Sequence, residues 1–210
     1  MDPVDLAKLE AVLLDGAAAL ERAQIPYVLI GGAASSIRGR PRVSDDVDFF
    51  VRQPDADRAL DVFADDGFET ERTNPQWIYK ARRDGITVDV MFWLVGDVYC
   101  DDDILARATR EPYGEGEVNV ASAEDLVVIK LLAHDEPSPH HWHDALALLA
   151  LNEIDWAYLL ERGRRSPRRL LSLLVYAEAV DLVVSEHAIK QLFETVYGAT
   201  AGSYDATTPA

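Results

Sequence analysis

The chain has one cysteine, Cys100, in 210 residues. A lone cysteine excludes an internal disulfide, and it fits a reducing, cytoplasmic setting. Long hydrophobic runs are absent as well. The longest apolar stretches, near 126–133 and 170–184, are broken by Lys130, Glu178 and Asp181, so neither reads as a membrane span and no membrane partner is expected. The start, Met1-Asp2-Pro3 and Asp5, is acidic without an apolar core and does not read as a secretory signal. Positive charge is scarce: 20 Lys and Arg face 37 Asp and Glu, a formal charge of −17, which argues against a broad electrostatic grip on nucleic acid or anionic lipid. One local exception is the run Arg162, Arg164, Arg165, Arg168 and Arg169 around Pro167. It reads either as a contact for RNA phosphates or as a solvated loop between helices. No internal repeat or low-complexity tract is present.

What remains is an ordinary globular composition, 49% hydrophobic, with length for one or two domains. Leu6, Leu9, Leu13, Leu14 and Leu20 form a helical stripe that ends at Gln24-Ile25-Pro26. A strand at 27–30, a short helix at 33–38, a turn at Gly39-Arg40-Pro41 and a strand at 47–51 follow. A helix over 55–66 stops at Gly67; strands at 68–72, 77–82 and 86–93 come next, with Asp84-Gly85 as a hairpin turn. A helix is expected at 102–109 and an extended piece at 116–120. Ser122-Ala-Glu-Asp125 resembles a capping box that opens a helix to about His134. Helices at 141–151, 155–162, 167–183 and 185–197 complete the reading. The expected fold class is α/β (α+β): a mixed sheet with flanking helices over 1–121, a helical bundle over 122–197, and a flexible tail at 198–210.

The segment YVLIGGAASSIRGRPRVSDDVDFFV, residues 27–51, carries the chemistry. Gly31-Gly32 after an apolar strand can bring backbone N–H groups against phosphates. Asp46 and Asp48, two apart on a strand, point the same way at a spacing of about 7 Å. Carboxylates that close repel unless a cation lies between them, and magnesium is the hard cation that bridges carboxylates to phosphates. Surface aspartates on an edge strand are the bland alternative.

Gly31-Gly32, thirteen residues, then Asp46-Val47-Asp48 resembles the signature of the polymerase-beta-like nucleotidyltransferase superfamily. The fuller string, with Gly39, Arg42 and Ser44, resembles the bacterial nucleotidyltransferases that include abortive-infection and toxin–antitoxin toxins. Many members have Gly-Ser in place of Gly31-Gly32, so a serine contact to phosphate is either missing here or supplied by Ser35. The superfamily requires a third carboxylate on a later strand. Asp89, in the middle of Ile-Thr-Val-Asp-Val-Met at 86–91, fills that place, whereas Asp84 and Asp97 read as turn residues. Ser122 to Lys130 resembles the family's second motif, whose lysine reaches the nucleotide, and Asp144 matches the aspartate that follows. His140, His141 and His143 depart from the family pattern. With no cysteine or second ligand pair nearby they do not read as a zinc site, and are expected on the acceptor side or at an exposed helix start.

The resemblance implies a cytoplasmic enzyme that moves NMP from a nucleoside triphosphate to an acceptor hydroxyl. Asp46, Asp48 and Asp89 are its catalytic and metal-holding residues, with two Mg2+ ions or Mn2+ in their place. Gly31, Gly32, Ser35, Arg42, Ser44, Lys130 and Asp144 are its nucleotide-binding set. The acceptor is left open between RNA (tRNA), protein and a small molecule of the aminoglycoside type, with an antitoxin as a candidate partner. A catalytically silent nucleotide-binding regulator or antitoxin is the non-enzymatic alternative.

Overall fold

A computed structural model describes residues 5–41 and 44–198. Arg42 and the tail from 199 onward, both subjects of expectations above, lie outside the described residues. In chain order the helices are α1 (Leu6–Arg22), α2 (Gly31–Arg38), α3 (Ala56–Asp65), α4 (Asp102–Arg107), α5 (Ala123–Ala133), α6 (His140–Leu151), α7 (Trp156–Gly163), α8 (Pro167–Ala179) and α9 (Glu186–Tyr197). The strands are β1 (Tyr27–Leu29), β2 (Asp46–Val51), β3 (Glu69–Asn74), β4 (Ile78–Arg83), β5 (Ile86–Met91), β6 (Thr109–Tyr113) and β7 (Gly116–Val120). Among the described residues they form one sheet in the order β3-β4-β5-β2-β1-β7-β6. The β2–β5 and β1–β7 pairs are parallel and the others antiparallel, so the mixed sheet matches the expected class.

Alternation along β2 sorts its side chains onto two faces. Val47 and Phe49 are fully buried on the side of α1 and α3. There Tyr27, Phe49, Phe63 and Phe68 form a ladder of ring contacts at 5.2, 6.0 and 5.1 Å. The opposite face presents Asp46 and Asp48 toward α2 and α5. Chain reversals are set by single left-handed residues. Gln24 (φ 55°) ends α1, with the Ile25 N–H donating to the Leu20 carbonyl at 2.9 Å; Gly67 (φ 87°) ends α3 in the same way through Phe68 and Phe63.

Helix α5 is the axle of the helical half. The Ser122 hydroxyl accepts from the Asp125 N–H at 3.1 Å and starts it. Apolar residues lie on every side of this helix, and it is surrounded by α2, α6, α7 and α8. One hydrophobic cluster runs from Leu9 in α1 to Leu192 in α9, so the sheet and the helical half share a core. No helix among the described residues is long and apolar enough to cross a membrane.

Two expectations need correction. The helix over 102–109 stops at Arg107, and 109–113 is an edge strand, β6. Its residues are mostly solvent-facing and include Pro112, so no alternation marks it; an edge position tolerates the missing N–H. Helix α8 ends at Ala179, short of 183, because Asp181 turns left-handed (φ 63°) and the Leu182 N–H donates back to the Ala177 carbonyl at 3.0 Å.

Candidate active site

Parallel pairing of β2 with β5 sets Asp48 directly beside Asp89 and Asp46 beside Thr87. Side chains in register on neighbouring strands share a face, so the three aspartates converge. One carboxylate oxygen from each lies within 4.8 Å of the other two. The diglycine bend wraps around this group. Gly31 has φ 68°, and a β-carbon placed on it would overlap the Asp48 carboxylate. The Gly32 N–H donates to the Asp48 side chain, and the Ile30 N–H donates to the Asp48 carbonyl at 3.0 Å. The Ser44 hydroxyl donates to Asp46 Oδ1 at 2.9 Å.

Three carboxylates this close cannot all carry charge without a cation. Burial, then the charges of Asp46 and Asp89, push the Asp48 carboxyl up to about 7, against the smaller opposing pull of Lys130 and the Gly32 N–H. Burial also raises Asp89, and Lys80 opposes it. A compact all-oxygen donor set with an elevated carboxyl fits a hard divalent ion such as magnesium or manganese. This donor set could hold a divalent metal ion.

Asp46 and Asp48 face a cavity of about 650 Å³, while Asp89 is not on its wall. Gly31, Gly32, Asp46 and Asp48 form its floor, and Ile129 and Lys130 project from α5. Trp77, Met91, Trp93, Leu94 and Val95 make an apolar wall, with His140 and His141 at the start of α6. Those two histidines thus reach the cavity as well as a helix start, while His143 is exposed and off its wall. Asp84 and Asp97 are left-handed turn residues, as read from the sequence.

Some predicted contacts are placed otherwise. Ser35 is buried and its hydroxyl donates to the Gly31 carbonyl at 2.8 Å, so it is spent inside α2 and is not on the cavity wall. Ser44 lines the cavity, but its proton is engaged by Asp46. Asp144 is not on the wall either; it stands behind Lys130, with Oδ2 at 3.2 Å from Nζ, and Arg40 approaches its Oδ1 at 3.6 Å. Lys130 is accordingly a buried ammonium held from behind, 2% exposed.

The arginine run turns away from the cavity. Arg162 pairs with Asp101 at 2.6 Å and with the buried Asp125 at 2.8 Å. Arg164 engages Glu161, and Arg165 donates to the Asp97 carbonyl at 2.5 Å. Arg168 lies over the Tyr197 ring, and Arg169 donates to the carbonyls of Leu131, Leu132 and His134 that end α5. Arg162, Arg168 and Arg169 thus tie helices to one another, Arg164 and Arg165 pair locally at the surface, and none of the run lines the cavity.

Lys80 was not anticipated. Its Nζ lies 2.6 Å from Asp89 Oδ1. The signal was present: the two-residue turn Asp84-Gly85, both left-handed, fixes the β4–β5 register, and counting back from it places Lys80 opposite Asp89.

Residues 10–191 match the model of the family described as nucleotidyl transferase of unknown function (DUF2204). The fold is similar to that of an antigenic nucleotidyltransferase-like protein from Paracoccidioides brasiliensis. That likeness has a TM-score of 0.60 at 20% identity and covers 90% of this chain and 94% of that one. It is also similar to ANT(2″)-Ia, solved in complex with adenylyl-2″-tobramycin. There the TM-score is 0.54 at 17% identity, covering 76% of this chain and 97% of that one. Among curated proteins none matches significantly in sequence.

Proposed function

This chain belongs to the nucleotidyl transferase family DUF2204, within the polymerase-beta-like superfamily, and on that premise we propose that it transfers NMP from a nucleoside triphosphate to an acceptor hydroxyl with Mg2+ at Asp46, Asp48 and Asp89. The observation that carries this reading is the convergence of those three side chains beside the diglycine bend, with Asp46 and Asp48 on the wall of a cavity. The phosphates lie toward Gly31, Gly32 and the N-terminus of α2, where N–H groups and the helix dipole favour anions. Lys130 adds a cation on the same side, steadied by Asp144. The acceptor oxygen forms a bond to the α-phosphorus, the bond to the bridging α–β oxygen breaks, and pyrophosphate carries away that electron pair. Asp89 accepts the hydroxyl proton. A bound divalent ion supplies charge neutralisation for the phosphoryl oxygens. The rest is positioning, with no covalent enzyme intermediate.

Of the acceptors considered, a small molecule is favoured over RNA. The arginine run does not line the cavity, whose wall is apolar and whose floor is acidic. The fold likeness to ANT(2″)-Ia, solved with an adenylylated aminoglycoside, is in keeping with this. A toxin-type transfer to tRNA or protein is the second reading, resting on the motif at 31–48.

The test supplies each α-labelled NTP with tRNA, total protein or a panel of small hydroxyl compounds that includes aminoglycosides. Label is expected on a small molecule with release of pyrophosphate, and is expected to vanish in Asp46→Asn while the fold persists. Full activity in that variant contradicts the assignment.

A further inference from the structure

We propose that the Lys80 ammonium takes the place of one divalent cation, so that the site works with a single divalent ion and a built-in lysine. This rests on the reading of Asp46, Asp48 and Asp89 as the metal-holding group, and goes beyond it in fixing how many ions that group takes. Lys80 and Asp89 are cross-strand partners in the antiparallel β4–β5 pair, so both side chains leave the same face of the sheet. Nζ lies 2.6 Å from Asp89 Oδ1, the distance of a charge-assisted hydrogen bond to a carboxylate of the metal-holding group. The lysine side chain is 27% exposed and rises from the middle of β4.

The charges agree with this. Three ionised carboxylates carry three negative charges; Lys80 offsets that of Asp89 and Lys130 acts on Asp48 as well, so part of the charge is met before any divalent ion binds. A second divalent ion drawing on Asp89 must share that carboxylate with a cation already in contact with it, and like charges repel strongly at such range in a half-buried site. A lysine fixed on the backbone also needs no recruitment from solution. It orients Asp89 before substrate arrives, which a mobile ion cannot do.

The experiment counts Mn2+ bound to the full chain, by the loss of the free-ion paramagnetic resonance signal. It is run with Mn2+ alone and with non-hydrolysable analogues of the four common ribonucleoside triphosphates in turn. Wild type should bind one ion per chain at saturation, Lys80→Met two, and Lys80→Arg one. Circular dichroism checks the fold, and Lys80→Gln replaces Lys80→Met if the latter does not fold. Two ions in wild type, or one in both wild type and Lys80→Met, overturns the proposal while leaving the transferase reading intact. No ion in any form overturns both.

Discussion

The carboxylate of Asp48 occupies the space in which Gly31 would carry a β-carbon. The glycine is thus required twice, by its left-handed backbone and by the acid it makes room for. Gly31→Ala should lower stability by about 1–2 kcal/mol through the backbone alone. It should also push Asp48 out of line with Asp89, and a misplacement of that kind costs about 100-fold in rate. Thermal melts and transfer rates measured on the same preparation separate the two effects. A variant with unchanged rate would show that Asp48 is not held by this contact.

The elevated Asp48 carboxyl gives the metal-free protein a pH dependence of definite sign. The folded state keeps this proton up to about 7, whereas an unperturbed carboxyl releases it near 3.8. Between those values the unfolded state binds fewer protons, so stability falls as pH rises from about 4 to about 7. Three pKa units set a ceiling near 4 kcal/mol, and roughly 2–4 kcal/mol is expected. Urea midpoints in chelator across this range should fall more steeply for wild type than for Asp48→Asn. Added Mg2+ at pH 8 should recover the loss, because it binds the folded state alone.

Lys130 and Asp144 form a pair with almost no solvent contact. Removing one partner strands a buried charge, so Asp144→Ala should cost roughly 3–5 kcal/mol. The double change Lys130→Met with Asp144→Leu should regain most of that stability, since two apolar groups replace the pair, but transfer should stay low because no cation then faces the phosphates. Denaturant titration together with kcat distinguishes this from a purely structural pair, in which activity returns along with stability.

Arg162 should behave as a structural residue. Arg162→Ala leaves Asp125, 1% exposed, with only hydroxyl partners, and should cost about 3 kcal/mol. Arg164→Ala and Arg165→Ala should leave transfer to any acceptor within about twofold, since surface ion pairs contribute little. Selective loss of transfer to tRNA in the last two would restore the RNA reading.

The segment from β1 through β2 could be read from the sequence because several signals coincide there: an apolar strand, a glycine pair, and aspartates alternating with core residues. Asp89 was legible for the same reason, being a charge in mid-strand between Val88 and Val90. What escaped was whatever depends on a partner distant in sequence. Strand β6 has no apolar face of its own and exists because β7 pairs with it. The internal use of Ser35 depends on the helix starting at Gly31, two residues before the expected start, which puts the Gly31 carbonyl within reach of its hydroxyl. The burial of Asp144 behind Lys130 follows from how α5 and α6 pack, which neither helix states alone. Lys80 stands between: the turn at 84–85 fixes its register opposite Asp89, but the ion pair itself depends on both side chains leaving the same face of the β4–β5 pair.

Crystals of the protein soaked with Mn2+ and a non-hydrolysable triphosphate, measured at the manganese edge, show where the metal sits. An anomalous peak is expected among the carboxylate oxygens of Asp46, Asp48 and Asp89, with the triphosphate running toward Gly31, Gly32 and Lys130. Manganese bound elsewhere, with those three side chains free of it, would contradict their assignment as the metal-holding group.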